Sequence, residues 1–244
     1  MKTQKIIFTC ICVFFLSSCN SYDDKYYLKE ANIFLDKKDY QKAIDKYSKS
    51  IDINPRNYSA YYNRSIAFTY LNKLDLAISD LTMIEKLYPN DSTIFYNRAM
   101  LYFTLKKYKQ ALNDFTISIS RKKINLTEHS YRAACYVFLN NYEEAIKDAN
   151  YLIDRLYDSN SYNTRSAIYC SYGRSDLAIK DANMALTLNP NFANAYSNRG
   201  IAYKNLGLKD KAIADFKRAV DLGDQSGVED LKRFYNIDYQ IVKR

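Results

Sequence analysis

The chain has 244 residues, 48% of them hydrophobic, and a formal net charge of +9 at pH 7. This composition suffices for one or two ordinary cores or for one elongated repeat array. Only five glycines and three prolines stand beside 25 tyrosines and 12 phenylalanines. Because turn-forming residues are scarce, long helices are favoured and an all-β fold is disfavoured.

The first predicted element, residues 1–18, has the layout of a secretory signal peptide. Lys2 and Lys5 precede an apolar run over residues 6–16, and small residues follow. The run is shorter than the roughly 20 apolar residues of a membrane-spanning helix, so cleavage is the better interpretation.

The residues after this run, Leu-Ser-Ser-Cys at positions 16–19, resemble the lipobox of bacterial lipoproteins. The resemblance implies that Cys19 is acylated and becomes the first residue of the mature chain. Residues 19–23 would then link the lipid to the folded part. The alternative is an ordinary signal peptide in which Cys19 is incidental.

The rest of the chain repeats with a period of about 34 residues. An alanine followed by a branched apolar residue marks each repeat: Ala43, Ala77, Ala111, Ala145, Ala178 and Ala212. The three prolines of the chain, Pro55, Pro89 and Pro190, each follow a marker alanine by twelve residues. They therefore occupy one structural position, which we predict to be the end of a helix.

Two further positions support this period. Twelve residues before the marker stands a small residue: Ala31, Ser65, Ala99, Ala133, Ser166 or Gly200. Nine residues before the marker stands an aromatic: Phe34, Phe68, Tyr102, Tyr136, Tyr169 or Tyr203. A small side chain allows two helices to approach closely, and the aromatics fill the space between stacked helices.

A 34-residue unit with this pattern resembles the tetratricopeptide family, whose units are pairs of antiparallel helices that stack side by side. The resemblance implies an all-α fold, an α-solenoid of six helical hairpins plus a terminal capping helix. The expected repeats are residues 24–57, 58–91, 92–125, 126–158, 159–192 and 193–224. Residues 225–244 would form the capping helix and a loose tail, in which Ser226 and Glu229 have the spacing of a capping box.

Opposite charges recur 16 residues apart within each repeat. The pairs are Glu30 with Lys46, Arg64 with Asp80, Arg98 with Asp114, Arg132 with Asp148, Arg165 with Asp181, and Arg199 with Asp215. Because the first pair exchanges the signs and keeps the opposition, the two positions are predicted to face each other across a hairpin. We favour a structural pair over a ladder that contacts a ligand, since a desolvated pair fixes geometry.

Catalytic groups are scarce, so an enzyme is not expected. The only histidine, His129, stands where other repeats carry Tyr or Phe, which indicates packing rather than a general base or a metal ligand. No cysteine–histidine spacing suits zinc, and no glycine-rich loop could hold a phosphate. We therefore expect no cofactor and no metal.

Binding to another protein is the better-supported use of the surface. In tetratricopeptide arrays the first helix of each hairpin lines a groove, and the resemblance places these side chains there: Asn32, Tyr62, Asn63, Tyr70, Tyr96, Asn97, Phe103, Tyr131, Asn163, Ser197, Asn198 and Lys204. Some of the aromatics could instead belong to the seam between helices. Thr93 and Asn97 stand where chaperone-binding members need cations, so that specialised activity is not supported.

The sequence thus predicts a scaffold that is lipid-anchored in a bacterial envelope, at the outer membrane, and holds a protein or peptide partner of unknown identity. By analogy with tetratricopeptide lipoproteins, the process is assembly of an envelope or secretion complex. Two alternatives remain: a surface organiser that binds anionic lipid or glycan through a basic face, and an accessory subunit of an enzyme complex. Nucleic acid is a poor partner for an exported chain.

Overall fold

The computed structural model describes residues 23–121 and 126–239, which contain thirteen α-helices and no strand. The signal-peptide and lipidation predictions, including Cys19, lie outside the described residues. The helices are α1 (Asp24–Asp36), α2 (Tyr40–Ile53), α3 (Tyr58–Tyr70), α4 (Leu74–Leu87), α5 (Thr93–Thr104), α6 (Tyr108–Arg121), α7 (Leu126–Phe138), α8 (Tyr142–Leu156), α9 (Ser159–Ser171), α10 (Ser175–Leu188), α11 (Ala193–Asn205), α12 (Lys209–Asp221) and α13 (Ser226–Tyr235).

This element order confirms the predicted fold class. Twelve helices of 12–15 residues alternate with short turns, as six hairpins require, and a thirteenth helix follows within the described residues. Each of the three prolines stands two residues after the end of a helix: Pro55 after α2, Pro89 after α4 and Pro190 after α10. The chain forms two compact units, one up to Lys73 and one from Leu74 onwards, and each is described by itself.

In the first unit, α1 packs against α2, and α3 packs against both. The ring of Tyr47 lies at the centre and has no exposed surface. Its hydroxyl donates to the Asn32 side-chain oxygen at 2.7 Å. Burial raises the pKa of Tyr47 to about 12, so this phenol stays protonated and remains a donor.

In the second unit, each helix from α4 to α12 packs against the next along the chain. The first helices of neighbouring hairpins also meet, α7 with α9 and α9 with α11. Phe115 on α6 and Phe216 on α12 are fully buried, and each is the centre of an aromatic cluster. Burying such side chains stabilises the unit by roughly 1.5–3 kcal/mol each.

The marker alanines occupy equivalent environments. All six have no exposed surface: Ala43, Ala77, Ala111, Ala145, Ala178 and Ala212. The position twelve residues before the marker alanine also requires a small side chain. At Gly200 a Cβ would lie 2.9 Å from the Phe216 ring. The repeat therefore works by letting the helices of a hairpin approach until only small side chains fit between them.

The turn inside each hairpin has one backbone solution that sequence reasoning missed. The middle residue of the three-residue turn has a left-handed backbone conformation in all six hairpins: Lys38, Asn72, Lys106, Asn140, Gly173 and Gly207. The next amide then donates to the carbonyl of the recurring aromatic residue, for example Lys107 to Tyr102 at 2.8 Å and Leu208 to Tyr203 at 2.9 Å. This hydrogen bond is the Schellman closure of a helix end.

The C-terminal end corrects two predictions. Ser226 does not form a capping box with Glu229; the Asp224 carboxylate instead accepts from the Ser226 amide and hydroxyl, at 3.0 and 2.7 Å. Residues 236–239 are not a loose tail, because Ile237 and Tyr239 pack on the cluster around Phe216. The helix α13 packs its apolar side on the last hairpin, where Leu231 is fully buried.

We predict that Gly207→Ala lowers the free energy of unfolding by about 1 kcal/mol, because an L side chain is strained at the observed φ of 75°. No atom lies within 4 Å of the added Cβ, so the loss is due to the backbone alone. Lys106→Gly is the matched variant: it removes the same strain and adds flexibility to the unfolded chain, so its effect is within about 0.5 kcal/mol. Urea denaturation followed by circular dichroism measures both, and a stabilised Gly207→Ala protein would contradict the left-handed turn.

Candidate functional site: the polar ladder and the first-helix face

The predicted charge pairs meet inside their hairpins in the second unit. The Arg98 guanidinium donates to both oxygens of Asp114, at 2.7 and 2.9 Å. The same two-pronged contact recurs for Arg132 with Asp148, Arg165 with Asp181, and Arg199 with Asp215. In the first unit the reversed pair is also present, with 3.3 Å between the Lys46 ammonium and the Glu30 carboxylate. Arg64 and Asp80 belong to different units, so that pair stays a prediction.

Several of these arginines also reach a third helix. Arg64 donates to Ser48 at 2.9 Å, Arg165 to Asn150 at 2.6 Å, and Arg199 to Asn183 at 2.6 Å. Each acceptor lies on the second helix of the preceding hairpin. The signal was present in the sequence, since a polar residue stands 15 or 16 positions before each of these arginines. The guanidinium groups of Arg165 and Arg199 therefore each tie together both helices of their own hairpin and one helix of the hairpin before it.

Arg98 makes the densest of these contacts. It donates to Thr82 at 3.2 Å and to Glu85 at 2.5 Å, both on α4, in addition to Asp114. Burial lowers the pKa of Arg98, but the bonds to Asp114 and Glu85 outweigh this and raise it overall. The carboxylate of Asp114 is 1% exposed. A charge buried this deeply is tolerated because its hydrogen bonds are made, which fits a structural role.

His129 joins the series of arginine–aspartate pairs, which we call the polar ladder. Its Nδ1 lies 2.7 Å from Asp148, the partner of Arg132, and its ring stacks on Tyr151 with centroids 4.2 Å apart. The imidazole thus packs as an aromatic ring, and its Nδ1 contacts a carboxylate already bound by an arginine. Among the described residues, no group of three or more His, Cys, Asp or Glu side chains could hold a metal ion.

The two cysteines of the folded part are free thiols. Burial raises the pKa of Cys135 to about 12 and that of Cys170 to about 11. Since the thiolate is the reactive form, neither residue is set up as a nucleophile.

In the first unit, the predicted groove residues form an amide network beside exposed aromatic faces. Asn32 accepts from the Asn63 amide at 3.1 Å as well as from Tyr47. Tyr62 is half-buried on the same helix as Asn63. Tyr70 is 66% exposed and stacks on Tyr40, with centroids 4.7 Å apart and planes nearly parallel. This face offers flat apolar area together with oriented amides.

In the second unit, three of the predicted aromatics gather around one buried ring. Tyr131 stacks on Phe115 at 5.8 Å, Phe103 meets Tyr131 edge to face at 5.6 Å, and Tyr96 lies 6.2 Å from Phe115. All three are half-buried, so they contribute to the seam between helices and to the surface at once. Asn97, on the same helix as Tyr96, is also half-buried.

The remaining predicted groove residues divide into two groups. Asn198 donates to the Asn163 oxygen at 2.8 Å, which links α11 to α9 in the way that Asn63 links α3 to α1. Ser197 is buried and bonds to Asp224. The Lys204 ammonium lies 4.0 Å from the centre of the Phe234 ring of α13. Ser197 and Lys204 are therefore engaged by residues near the terminal helix rather than presented on an open face.

The described residues contain no helix that is both long and apolar enough to cross a bilayer.

These features define an all-α protein built from stacked helical hairpins that are joined by a polar ladder. Family models for the tetratricopeptide repeat match residues 193–223 and 92–124, and a TPR repeat model matches residues 31–69. The chain therefore contains tetratricopeptide repeats in these segments, and its all-α fold of helical hairpins is of that type.

Known proteins agree with this assignment. The chain is 40% identical over 62 residues to the Hsp70/Hsp90 co-chaperone CNS1 of Saccharomyces cerevisiae, which is 25% of this chain and only 16% of that protein. A tetratricopeptide repeat protein from Parabacteroides merdae is similar in structure, with a TM-score of 0.60, 23% identity, and coverage of 89% of this chain and 86% of that one. PilW, described as a type IV pilus biogenesis factor, gives a TM-score of 0.61 at 13% identity, covering 87% and 94%. The two structural likenesses show the fold.

We predict that removing one partner of an arginine–aspartate pair lowers the stability of the fold. Asp181→Ala leaves the Arg165 guanidinium without its main acceptor and should lower the free energy of unfolding by about 3 kcal/mol. The control is Lys147→Ala, which removes an exposed pair with Glu144 and should cost no more than about 0.5 kcal/mol. Adding Arg165→Met to Asp181→Ala should recover part of the loss in a double-mutant cycle; strict additivity of the two changes would contradict the coupling.

Proposed function

We propose that this protein is a non-catalytic scaffold that binds a protein or peptide partner on the face formed by the first helices of its hairpins. The observation that carries the proposal is the chemistry of this face in each unit. It combines half-buried or exposed aromatic rings with asparagine amides that are fixed by hydrogen bonds between neighbouring hairpins. Such a surface gives contact area at small entropic cost and supplies donors and acceptors for a peptide backbone.

The placement of the charges supports this assignment over a charge-driven one. The ladder arginines Arg98, Arg165 and Arg199 are paired with carboxylates within the fold. Arg121, the first residue of the Arg-Lys-Lys run at residues 121–123, donates to the Pro89 carbonyl at 2.8 Å and lies over the Phe95 ring. These cations are engaged within the fold, which favours aromatic and amide contacts with a partner over contacts made by these charges.

We further propose that Cys19 carries a lipid that anchors the scaffold in a bacterial envelope, at the outer membrane, where it assists assembly of an envelope or secretion complex. The support is the lipobox-like sequence at residues 16–19. The likeness to PilW fits this setting at the level of the fold. The co-chaperone role of the yeast relative is not extended to this chain, because Thr93 and Asn97 stand where that specialised binding needs cations.

Chemical cross-linking in cells tests the binding face. We expect the wild-type chain to give a defined cross-linked partner, and Tyr62→Ala or Tyr96→Ala to reduce its yield about tenfold, since interface aromatics carry much of the binding energy. The matched control is Tyr26→Ala, which removes an exposed tyrosine at a repeat position outside the predicted groove. Equal yields from all three variants would show that the partner binds elsewhere.

Fractionation of cells tests the anchor. Cys19→Ala should move the chain from the membrane fraction to the soluble fraction, because each buried acyl methylene contributes about 0.8 kcal/mol to membrane binding. Cys10→Ala, within the predicted signal, is the matched control and should leave the chain in the membrane fraction. A Cys19→Ala chain that stays with the membrane would rule out lipidation as the anchor.

A further inference from the structure

The fourth and fifth hairpins leave an open gap between their first helices. Two adjoining cavities of about 290 and 210 Å³ lie between α7 and α9. Both are lined by Ser130 and Thr164, so they form one continuous groove. Phe138, which is 54% exposed, lies at one end, and Leu156, which is 43% exposed, lies at the other.

The gap has a specific origin in the sequence. Eleven residues before the marker alanine, the fourth and fifth repeats carry Ala134 and Ala167, and both line the larger cavity. At the same repeat position the second, third and sixth repeats carry the larger side chains of Ile66, Met100 and Ile201. The groove is therefore a local feature of two hairpins and not a property of every repeat.

Two hydroxyl groups of the larger cavity are used as donors within their own helix, α9. Thr164 donates to the Asn160 carbonyl at 2.8 Å, and Ser171 donates to the Ala167 carbonyl at 3.1 Å. What these residues offer inwards is therefore methyl and methylene surface, together with the Val137 and Ile168 side chains that line the same cavity.

No side chain of the larger cavity is ionisable, and the smaller cavity has one, Asp158. The Asp158 carboxylate caps α9, accepting from the Ser161 amide at 2.8 Å and the Ser161 hydroxyl at 2.6 Å. A charged group entering the larger cavity would lose its hydration without gaining a counter-charge, and in the smaller cavity the Asp158 carboxylate would repel an anion and is already engaged at the start of α9. The lining of the groove is therefore electrostatically suited to an uncharged, apolar segment of a partner.

We propose that this groove is the specificity subsite of the scaffold: it takes an uncharged segment of the partner protein that places two bulky apolar side chains, one in each cavity. The inference rests on the proposed function and adds the chemistry of the partner to it. The two cavities are centred about six residues apart along α7, or roughly 9 Å at 1.5 Å per residue. In an extended segment this distance corresponds to side chains two or three residues apart.

Fluorescence anisotropy with defined peptides tests the subsite. The probes are labelled twelve-residue peptides of Ser, Gly and Asn that contain two leucines separated by two or three positions. Matched peptides replace both leucines with Ala, or one leucine with Lys or Glu. The purified full chain should bind the dileucine peptides, and each replacement should weaken binding about tenfold or more.

Variants with larger side chains in the groove test whether the peptide binds there. Ala134→Met and Ala167→Met place in these hairpins the residue that the third repeat carries at this position, so the fold should tolerate them. We expect about tenfold weaker binding of the dileucine peptides with unchanged helix content by circular dichroism. Ala134→Ser and Ala167→Ser leave the groove open and should bind as the wild-type chain does.

Three results would overturn the subsite: equal binding to the filled variants, no preference for leucine over lysine or glutamate, or no binding of any probe. Displacement by dodecanoate without any leucine preference would also overturn it, because that pattern identifies an acyl-chain site. The cross-linking experiment decides the scaffold function separately. A partner that depends on Tyr62 and Tyr96 but is indifferent to Ala134→Met leaves the scaffold in place and removes only the subsite.

Discussion

The close approach of two helices is the constraint on which the rest of this protein depends. All six marker alanines are fully buried between the helices, and at Gly200 even a Cβ would press against the Phe216 ring. Once helices are this close, the large aromatics must lie on either side of the contact, where they fill the spaces between hairpins. Small and large side chains therefore alternate along the chain because of one geometric requirement.

The arginine–aspartate ladder adds direction to this packing. Apolar contacts alone tolerate sliding of one helix along another, whereas a two-pronged contact between Arg165 and Asp181 exists at one register. The further bond from Arg165 to Asn150 extends the same register to the preceding hairpin. Because the carboxylates are nearly buried, a shifted register would leave a desolvated charge, which is a large penalty.

These requirements fix the packed faces of the helices. They leave other positions of the first helices free to vary, and 15 residues before the marker alanine the second and third repeats carry Tyr62 and Tyr96, whereas the fourth and fifth carry Ser130 and Asn163. In the second unit, Tyr96 on α5 adds to the aromatic cluster around Phe115, while Ser130 and Asn163 line the open groove between α7 and α9.

The sequence alone determined the hairpin number, the buried alanines and the terminal helix, because a period of 34 residues repeats the same helical faces and each face has one burial pattern. It also indicated that oppositely charged positions face each other, since the exchange of Glu30 and Lys46 preserves the attraction. Only the tertiary structure showed that the arginines reach a third helix and that Lys106 adopts the left-handed turn, a conformation that its residue type does not signal. The engagement of Ser197 and Lys204 near α13 and the groove between α7 and α9 were likewise decided by tertiary packing. A spacing along the chain fixes which side of a helix a residue occupies, whereas its contacts depend on how closely the neighbouring helix approaches and on what that helix carries.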